Sequence, residues 1–477
     1  MRVSLVYPGI IGKGFGSIGQ GMDSGWISHG LAILGPCAQR AGHDVNLIDL
    51  RALCDWEHLR RVLEERRPRV VAVSMMSVDY NAAVRVLEIA REVDPSIVTV
   101  VGGAHPTILP QEVVDLECVD HVFLGEAEET FPRALSALEA GESVPRIVPG
   151  THPDLDSLPF ADHELFANEW RSRGYSVSSP EAPFVAELPP PFVTIIAGRG
   201  CKYNCSYCQP AERMLFGRTV RRRSVDSVLQ ELFSLQERYA FNSFMFHDDC
   251  LTEDREWVVE FCDRYIASGF RQPFFCQSRA DIIVKNEDMV ARMAEAGLRG
   301  YFIGFESGSD RVLRFIRKGT KRWQNIEAAH ICRRYGIVIW ANYMLGIPTE
   351  TKEEVLETIS MLKEIDPDYY SPAFYTPHPG SDLYDYCVAN DLSLIHNHDS
   401  FRRNPDEAKI RGVDYGWLAW AVRESQRRTW RNWASRRARS LSQRYRRFVH
   451  SPDKLRKLSS HIVREPDARP PIEATEP

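Results

Sequence analysis

The sequence of 477 residues has no apolar run approaching about 20 residues, so no membrane-spanning helix is expected. It opens directly on Met1-Arg2-Val3-Ser4-Leu5-Val6-Tyr7, which reads as a strand. The apolar stretch and small-residue cleavage site of a secretory signal are missing. A cytoplasmic location is the expectation. No repeat period is present. Apolar residues make up 44% and charged residues 26%, which excludes a disordered or collagen-like chain. The eleven cysteines are an odd number in a chain read as cytosolic, which argues against a disulfide framework. Cys37, Cys54, Cys118, Cys250, Cys262, Cys276, Cys332 and Cys387 are scattered and read as small buried apolar residues. The Gly-rich stretch from Gly9 to Gly25 does not place G-x-G-x-x-G at a strand-to-helix turn. It reads as a loop over a ligand crevice rather than a nucleotide site.

The net charge of −6 names no partner, but its distribution is uneven. Residues 402–464 hold 18 Lys and Arg against 5 Asp and Glu. Such a stretch is either a solvated basic helix or a contact for an anionic partner or membrane surface. Trp417, Trp420, Trp430 and Trp433 lie in the same region and favour packing of a helical cap, because Trp is commonly buried. No nucleic-acid partner is expected.

The length predicts two or three domains. Strands are predicted at 3–7, 45–48, 70–74, 97–101 and 121–124, separated by helical patterns. Their near-continuous Val, Ile and Leu content is that of strands covered on both faces, as in a doubly wound α/β domain. Such domains bind ligands at strand carboxyl ends. A Pro-rich stretch follows and reads as an ordered linker. Six further strands are predicted at 193–197, 243–246, 274–276, 301–303, 337–343 and 369–374. With helices between them they form a partial barrel or a parallel sheet. The predicted organisation is a Rossmann-like domain over 1–150, a linker over 151–190 and a (β/α)6 partial barrel over 191–390. A helical basic region over 391–465 and a disordered tail over 466–477 complete it.

The strongest chemical signal follows the first barrel strand: Cys201-Lys-Tyr-Asn-Cys205-Ser-Tyr-Cys208. Three thiolates in eight residues can wrap one metal cluster. A structural zinc site needs a fourth ligand, and none is obvious nearby. The C-x2-C-x2-C-x3-C run of bacterial ferredoxins does not match. Three ligands on a four-iron cluster leave one iron open. Other polar groups stand at barrel strand ends, where carboxylates and guanidinium groups are well placed for ligand contacts. They are Asp248 and Asp249 after the second strand, Arg279 after the third and Glu306 after the fourth. Gly346-Ile-Pro348-Thr-Glu350 and Thr376-Pro-His-Pro-Gly380-Ser form turns after the fifth and sixth.

The cysteine segment, set after a strand and opening six βα units, resembles the signature of the radical S-adenosylmethionine (SAM) superfamily. The resemblance implies that Cys201, Cys205 and Cys208 hold a [4Fe-4S] cluster. The open iron is then chelated by the amino and carboxylate groups of SAM. It further implies that Tyr207 lies against the adenine and that Asp248 and Asp249 approach the amino group. Glu306 would approach the ribose, and Arg279 would meet the SAM carboxylate.

In the first domain, Val73-Ser74-Met-Met-Ser77, Val101-Gly102-Gly103-Ala-His105 and Gly125-Glu126 follow the third, fourth and fifth strands and face one crevice. Gly pairs permit close approach of the backbone to a bulky ligand. Joined to a radical SAM core, these stretches resemble the cobalamin-binding domain of cobalamin-dependent radical SAM enzymes, the class B methyltransferase-like branch. The resemblance covers about residues 1–390 and assigns Ser74, Ser77, Gly102, Gly103, His105, Gly125 and Glu126 to cobalamin. The D-x-H-x-x-G motif that supplies a histidine to cobalt is absent. Members lacking it bind cobalamin with no protein histidine below the metal.

The resemblance implies methylation of an unactivated carbon through a 5′-deoxyadenosyl radical and methylcobalamin, with no side-chain acid or base in the core step. An external one-electron reductant of flavodoxin or ferredoxin type and a small-molecule or lipid substrate are the implied partners. An oxidative cyclase or rearrangement enzyme of similar architecture is the alternative reaction. A non-catalytic iron–sulfur electron-transfer module is the alternative class.

Overall fold

The computed structural model describes residues 1–10, 12–18, 26–177, 181, 183–402, 407–428, 430 and 432. Two six-stranded sheets organise it. The first contains β1 (Arg2–Tyr7), β2 (Asp44–Asp49), β3 (Val70–Ser74), β4 (Val98–Gly102), β5 (His121–Leu124) and β6 (Ile147–Pro149). Their order is β2-β1-β3-β4-β5-β6, and every pair is parallel. The five expected strands are present, and the short β6 is an addition. Alternation explains why they are rich in apolar residues at successive positions. Val3, Leu5, Val70 and Ala72 enter one core, while Val6, Val71 and Val73 enter a second core on the opposite face.

The second sheet contains β7 (Phe192–Ile195), β8 (Ser243–Phe246), β9 (Phe274–Ser278), β10 (Leu298–Glu306), β11 (Val338–Leu345) and β12 (Tyr369–Phe374). All neighbours are again parallel, in sequence order from one edge to the other. Sequential parallel strands with helical crossovers curve into the expected partial barrel. Several helices start on side-chain caps. Ser224 caps Val225–Tyr239, Asp254 caps Arg255–Ala267, and Thr351 forms a capping box with Glu354 at Lys352–Ile365.

The Pro-rich stretch does more than connect. Its helix His163–Ser172 was not anticipated, because its flanking prolines dominate the local pattern. Leu165, Phe166 and Trp170 of that helix are buried in the core of the first sheet. Further on, Phe184, Val185 and Leu188 join Met245, Phe275 and Phe302 in the aromatic cluster of the second sheet. One segment thus contributes to both cores.

The helix Tyr415–Gln426 packs Leu418 and Ala421 into the barrel core. Trp417 packs against that core and lies 5.6 Å from Trp420, but Trp420 and Trp430 are exposed. Packing therefore accounts for Trp417 and not for all of the aromatic residues. Trp433, most of the basic stretch and the tail at 466–477 lie outside the described residues. Of the scattered cysteines, Cys54 is exposed, contrary to expectation, and Cys118 is half-buried. The other six are buried. Among the described residues no helix is long and apolar enough to cross a membrane.

Trp170 is 2% exposed, and its indole Nε1 donates to Asp49 at 2.8 Å. Trp170→Ala should cost about 3–5 kcal/mol of stability. Denaturant unfolding of the first domain followed by circular dichroism would measure it.

Candidate active site

The carboxyl ends of both sheets face one cavity of about 360 Å³. From the first sheet, Ser74 ends β3, Gly102 ends β4, and Gly103, Gly125, Glu126 and Glu128 follow β4 and β5. From the second come Ile196, Gly198 and Arg199 after β7, and His247, Asp248 and Asp249 after β8. Parallel strands put all these loops on one side, which is why the site lies there.

The glycine loops have local reasons. Gly103 has φ +105°, and a Cβ there would lie 2.9 Å from the Met75 carbonyl oxygen. Only glycine fits that turn. Gly125 has φ +64°, and its N–H donates to Thr107 Oγ1 at 2.8 Å. Thr107 Oγ1 in turn donates to the Gly103 carbonyl at 2.7 Å, so one hydroxyl ties the two glycine loops together.

Glu126 lines the cavity but is held by protein cations. Arg199 and Arg221 both donate to its carboxylate, and Arg199 also bonds Glu128 at 2.6 Å. Ser77 and His105 do not line the cavity. They bond each other at 3.1 Å beside it. The described part of the 9–25 loop also stays away from the cavity. Gly16 N–H and Ser17 N–H donate to the carbonyls of Leu53 and Arg51.

The helix expected near 31–41 is present as His29–Arg40, but sequence reasoning missed that its first turns line the cavity with His29, Gly30, Ile33 and Leu34. A Cβ on Gly30 would meet nothing within 4 Å, so bare backbone faces open space there. Leu215 and Phe216, just after the cysteine loop, were also missed. The available signal was their apolar character so close to clustered cysteines. His29 Nε2 bonds Thr194 Oγ1 at 2.7 Å. Burial, reinforced by His247, lowers its pKa to about 3, so the ring is neutral.

The cysteine loop spans a range of exposure: Cys205 is buried, Cys201 half-buried and Cys208 exposed. Arg279 Nη1 lies 3.7 Å from Cys205 Sγ. Its guanidinium also bonds the Lys318 carbonyl at 2.5 Å and Asp281 at 3.0 Å, over the Tyr203 ring at 3.5 Å. Arg279 is thereby committed to the cysteine loop and does not stand free for a ligand carboxylate.

Glu306 has φ +60°, a conformation that costs a non-glycine residue about 1–2 kcal/mol. A register shift in β10 between Gly304 and Glu306 accompanies it. The carboxylate is fixed by Lys318 Nζ at 2.9 Å and by Tyr207 OH at 3.0 Å. A Cβ on Gly304 would come within 2.4 Å of Glu306 Oε1 and 2.7 Å of Lys318 Nζ, so glycine keeps room for the pair. The structure brings the buried Glu306 and Arg279 and the half-buried Tyr207 into one cluster beside Cys205.

Asp248 is 4% exposed and accepts from Ala197 N–H at 2.9 Å, with Arg222 at 3.8 Å. Burial raises its carboxyl to about 6. Glu212 is raised to about 8, first by burial and then by the facing Asp249. Around them Arg222 Nη1, Glu212 Oε1, Glu253 Oε2 and His247 Nε2 are buried without a hydrogen-bond partner among the described residues. Such orphaned donors and acceptors at strand ends suit a ligand bearing both ammonium and carboxylate groups. The three-thiol loop has the donor chemistry for an iron–sulfur cluster. The glycine loops and apolar wall suit a large planar group.

Comparison with known proteins agrees with this architecture. Residues 23–135 match the B12 binding domain family, and residues 195–362 match the radical SAM superfamily. An uncharacterized methyltransferase of Pyrococcus horikoshii is 28% identical over 386 residues, 77% of this chain and 80% of the relative. An anaerobic magnesium-protoporphyrin IX monomethyl ester cyclase of Rubrivivax gelatinosus is 25% identical over 404 residues, 80% of this chain and 69% of the relative. In structure, the cobalamin-dependent radical SAM enzyme OxsB superposes with TM-score 0.66 at 16% identity. That superposition covers 84% of this chain and 63% of OxsB. The fold is therefore a B12-binding domain followed by a radical SAM domain. The chain is a cobalamin-dependent radical SAM enzyme, whose cofactors are cobalamin, SAM and a [4Fe-4S] cluster.

Two predictions follow from this geometry. Gly304→Ala should displace the Glu306–Lys318 pair and weaken SAM binding at least tenfold with the fold retained, as read by calorimetry and circular dichroism. Glu350, in the turn after β11, accepts from the N–H groups of Gly346 and Ile347, while its Oε1 is buried without a partner among the described residues. Burial raises its carboxyl to about 8. The folded state then binds the proton more tightly than the unfolded chain between about pH 4.5 and 8. Stability therefore falls as pH rises through that window, by about 1 kcal/mol per unit. Glu350→Gln should flatten the slope in denaturant titrations at pH 5 and 8.

Proposed function

We propose that this enzyme methylates an unactivated carbon of a small-molecule or lipid substrate, drawing electrons from an external flavodoxin- or ferredoxin-type reductant. The observation that supports this most is the shared cavity between the two sets of strand ends. A group held by the glycine loops of the first sheet and one held by the polar cluster of the second would meet there. When bound, the cluster and SAM supply radical initiation, and cobalamin supplies the methyl group.

The chain's own part is binding and positioning. Cys201, Cys205 and Cys208 hold the cluster. Tyr207, Glu306, Asp248 and Asp249 bind and orient SAM, while Arg279 positions Cys205 through its guanidinium. Ser74, Gly102, Gly103 and Gly125 leave backbone room for cobalamin, and Glu126 fixes the loop beside it through Arg199. Leu34, Phe123, Phe131 and Phe216 line the cavity with apolar surface and exclude water.

The relative named as a methyltransferase supports this reading. The relative named as a cyclase supports oxidative ring closure on the same scaffold as the second reading. Anaerobically reconstituted protein should hold about four irons and one cobalamin per chain. With SAM, reductant and a methyl-accepting substrate it should yield 5′-deoxyadenosine, S-adenosylhomocysteine and a product heavier by about 14 Da. Cys205→Ala should abolish the 5′-deoxyadenosine. A product formed without S-adenosylhomocysteine would instead select cyclisation or rearrangement.

A further inference from the structure

Beside the cavity, but outside it, lies a group of side chains that the cofactor chemistry does not use. His105 sits in the short helix Ala104–Ile108 after β4, and Glu112 in the next helix, Gln111–Val114. His398 comes from a remote part of the chain and opens the 3-10 turn His398–Phe401 after the second sheet. The three ligand atoms lie within 4.8 Å of one another. His105 Nε2 is 3.4 Å from Glu112 Oε2, and His398 Nε2 is 2.8 Å from the same oxygen.

We propose that His105, Glu112 and His398 form a site for a divalent transition-metal ion of the zinc class, which pins the segment after the barrel onto the B12-binding domain.

Four observations carry this. First, the donor set of two imidazoles and one carboxylate is one that binds zinc, with a fourth position left for water. Second, the spacing fits. Ligand atoms about 2.0–2.1 Å from a tetrahedral ion stand about 3.3 Å apart; the His105–Glu112 separation of 3.4 Å already matches, and the His398–Glu112 contact of 2.8 Å need open by only about 0.5 Å. Third, the His105 side chain is fully buried, yet its Nε2 has no hydrogen-bond partner among the described residues and faces the Glu112 carboxylate. An unpaired buried nitrogen is costly, and a cation would satisfy it. Fourth, the rings are already held. His105 Nδ1 bonds Ser77 Oγ at 3.1 Å, which orients the other nitrogen as a hydrogen bond to the far nitrogen of a metal-ligating histidine does. Tyr80 stacks on His398 with centroids 3.9 Å apart at 11°, and its OH donates to the Glu112 carbonyl at 3.0 Å.

Access exists, since the side chains of Glu112 and His398 are 42% and 25% exposed. The same junction has a second, metal-free contact, where Asn81 Nδ2 donates to Asp399 at 3.1 Å. The site therefore strengthens an existing contact between distant parts of the chain.

The test is zinc titration of the cluster-loaded holoenzyme, desalting and elemental analysis. Wild type should retain about one zinc per chain. The variant with Cys201→Ala, Cys205→Ala and Cys208→Ala should retain the same amount, which separates this site from the cysteine loop. His398→Ala and Glu112→Gln alter partly exposed groups and should bind zinc about 100-fold more weakly or worse. Zinc should also raise the thermal midpoint of wild type and leave that of His398→Ala unmoved. A wild type that retains no zinc would overturn the proposal, leaving an ion pair only. Equal zinc in wild type, His398→Ala and Glu112→Gln would overturn it as well.

Discussion

The arrangement depends on one buried ion network between the two sheets. Arg199, just after β7, reaches across to Glu126 and Glu128 after β5, and Arg221 joins it on Glu126. The Arg199 side chain is 10% exposed and the two carboxylates are 4% and 8% exposed. Desolvating three such groups is expensive, and their mutual attraction offsets it only in good geometry. The network is therefore a weak source of stability and a strong source of orientation. Any other rotation of one sheet against the other leaves a buried charge without its partner, at a cost of about 3–5 kcal/mol. Because Arg199 precedes Cys201 by two residues, the same contact sets where the cysteine loop stands relative to the glycine loops.

Much of this was legible in the sequence, for physical reasons. Strands buried on both faces are mostly apolar, and the interiors of β1, β3 and β8 show it, with only Ser4 as a polar interruption inside β1. The cysteine spacing was equally plain, because cluster ligation demands thiols at short, fixed intervals. Most strand ends were inferred within a residue or two, but β10 extends three residues beyond the expected 301–303 at each end. The candidate residues from Ser74 to Glu306 therefore stand at the carboxyl ends of their strands.

What was not legible depends on long-range contact. Glu126 reads as a ligand contact from its place after β5, but its partners are 73 and 95 residues away. Arg279 reads as free at the end of β9. It is instead occupied by Asp281, the Lys318 carbonyl and Tyr203. Lys318 carried no signal, since it belongs to no strand-end motif and pairs with Glu306 only through the fold. The helix His163–Ser172 was obscured by its prolines, and its apolar face makes sense only against the first sheet.

The cavity wall gives this orientation a chemical consequence. Leu31, Ile33, Leu34, Val73, Phe123, Phe131, Leu215 and Phe216 line it from both domains. The charged groups Glu126, Glu128, Arg199, Asp248 and Asp249 stand among these apolar neighbours. Electrostatic interactions strengthen as water is excluded, so these groups orient a charged ligand more firmly than the same groups would at an open surface. Burial already holds protons on this side of the site, with Asp248 at about 6 and Glu212 at about 8. A cationic group arriving beside them would favour their ionised forms and so bind with release of protons. The first sheet thus contributes glycine-bared backbone to this space, the second contributes carboxylates with raised proton affinity, and both supply its apolar wall.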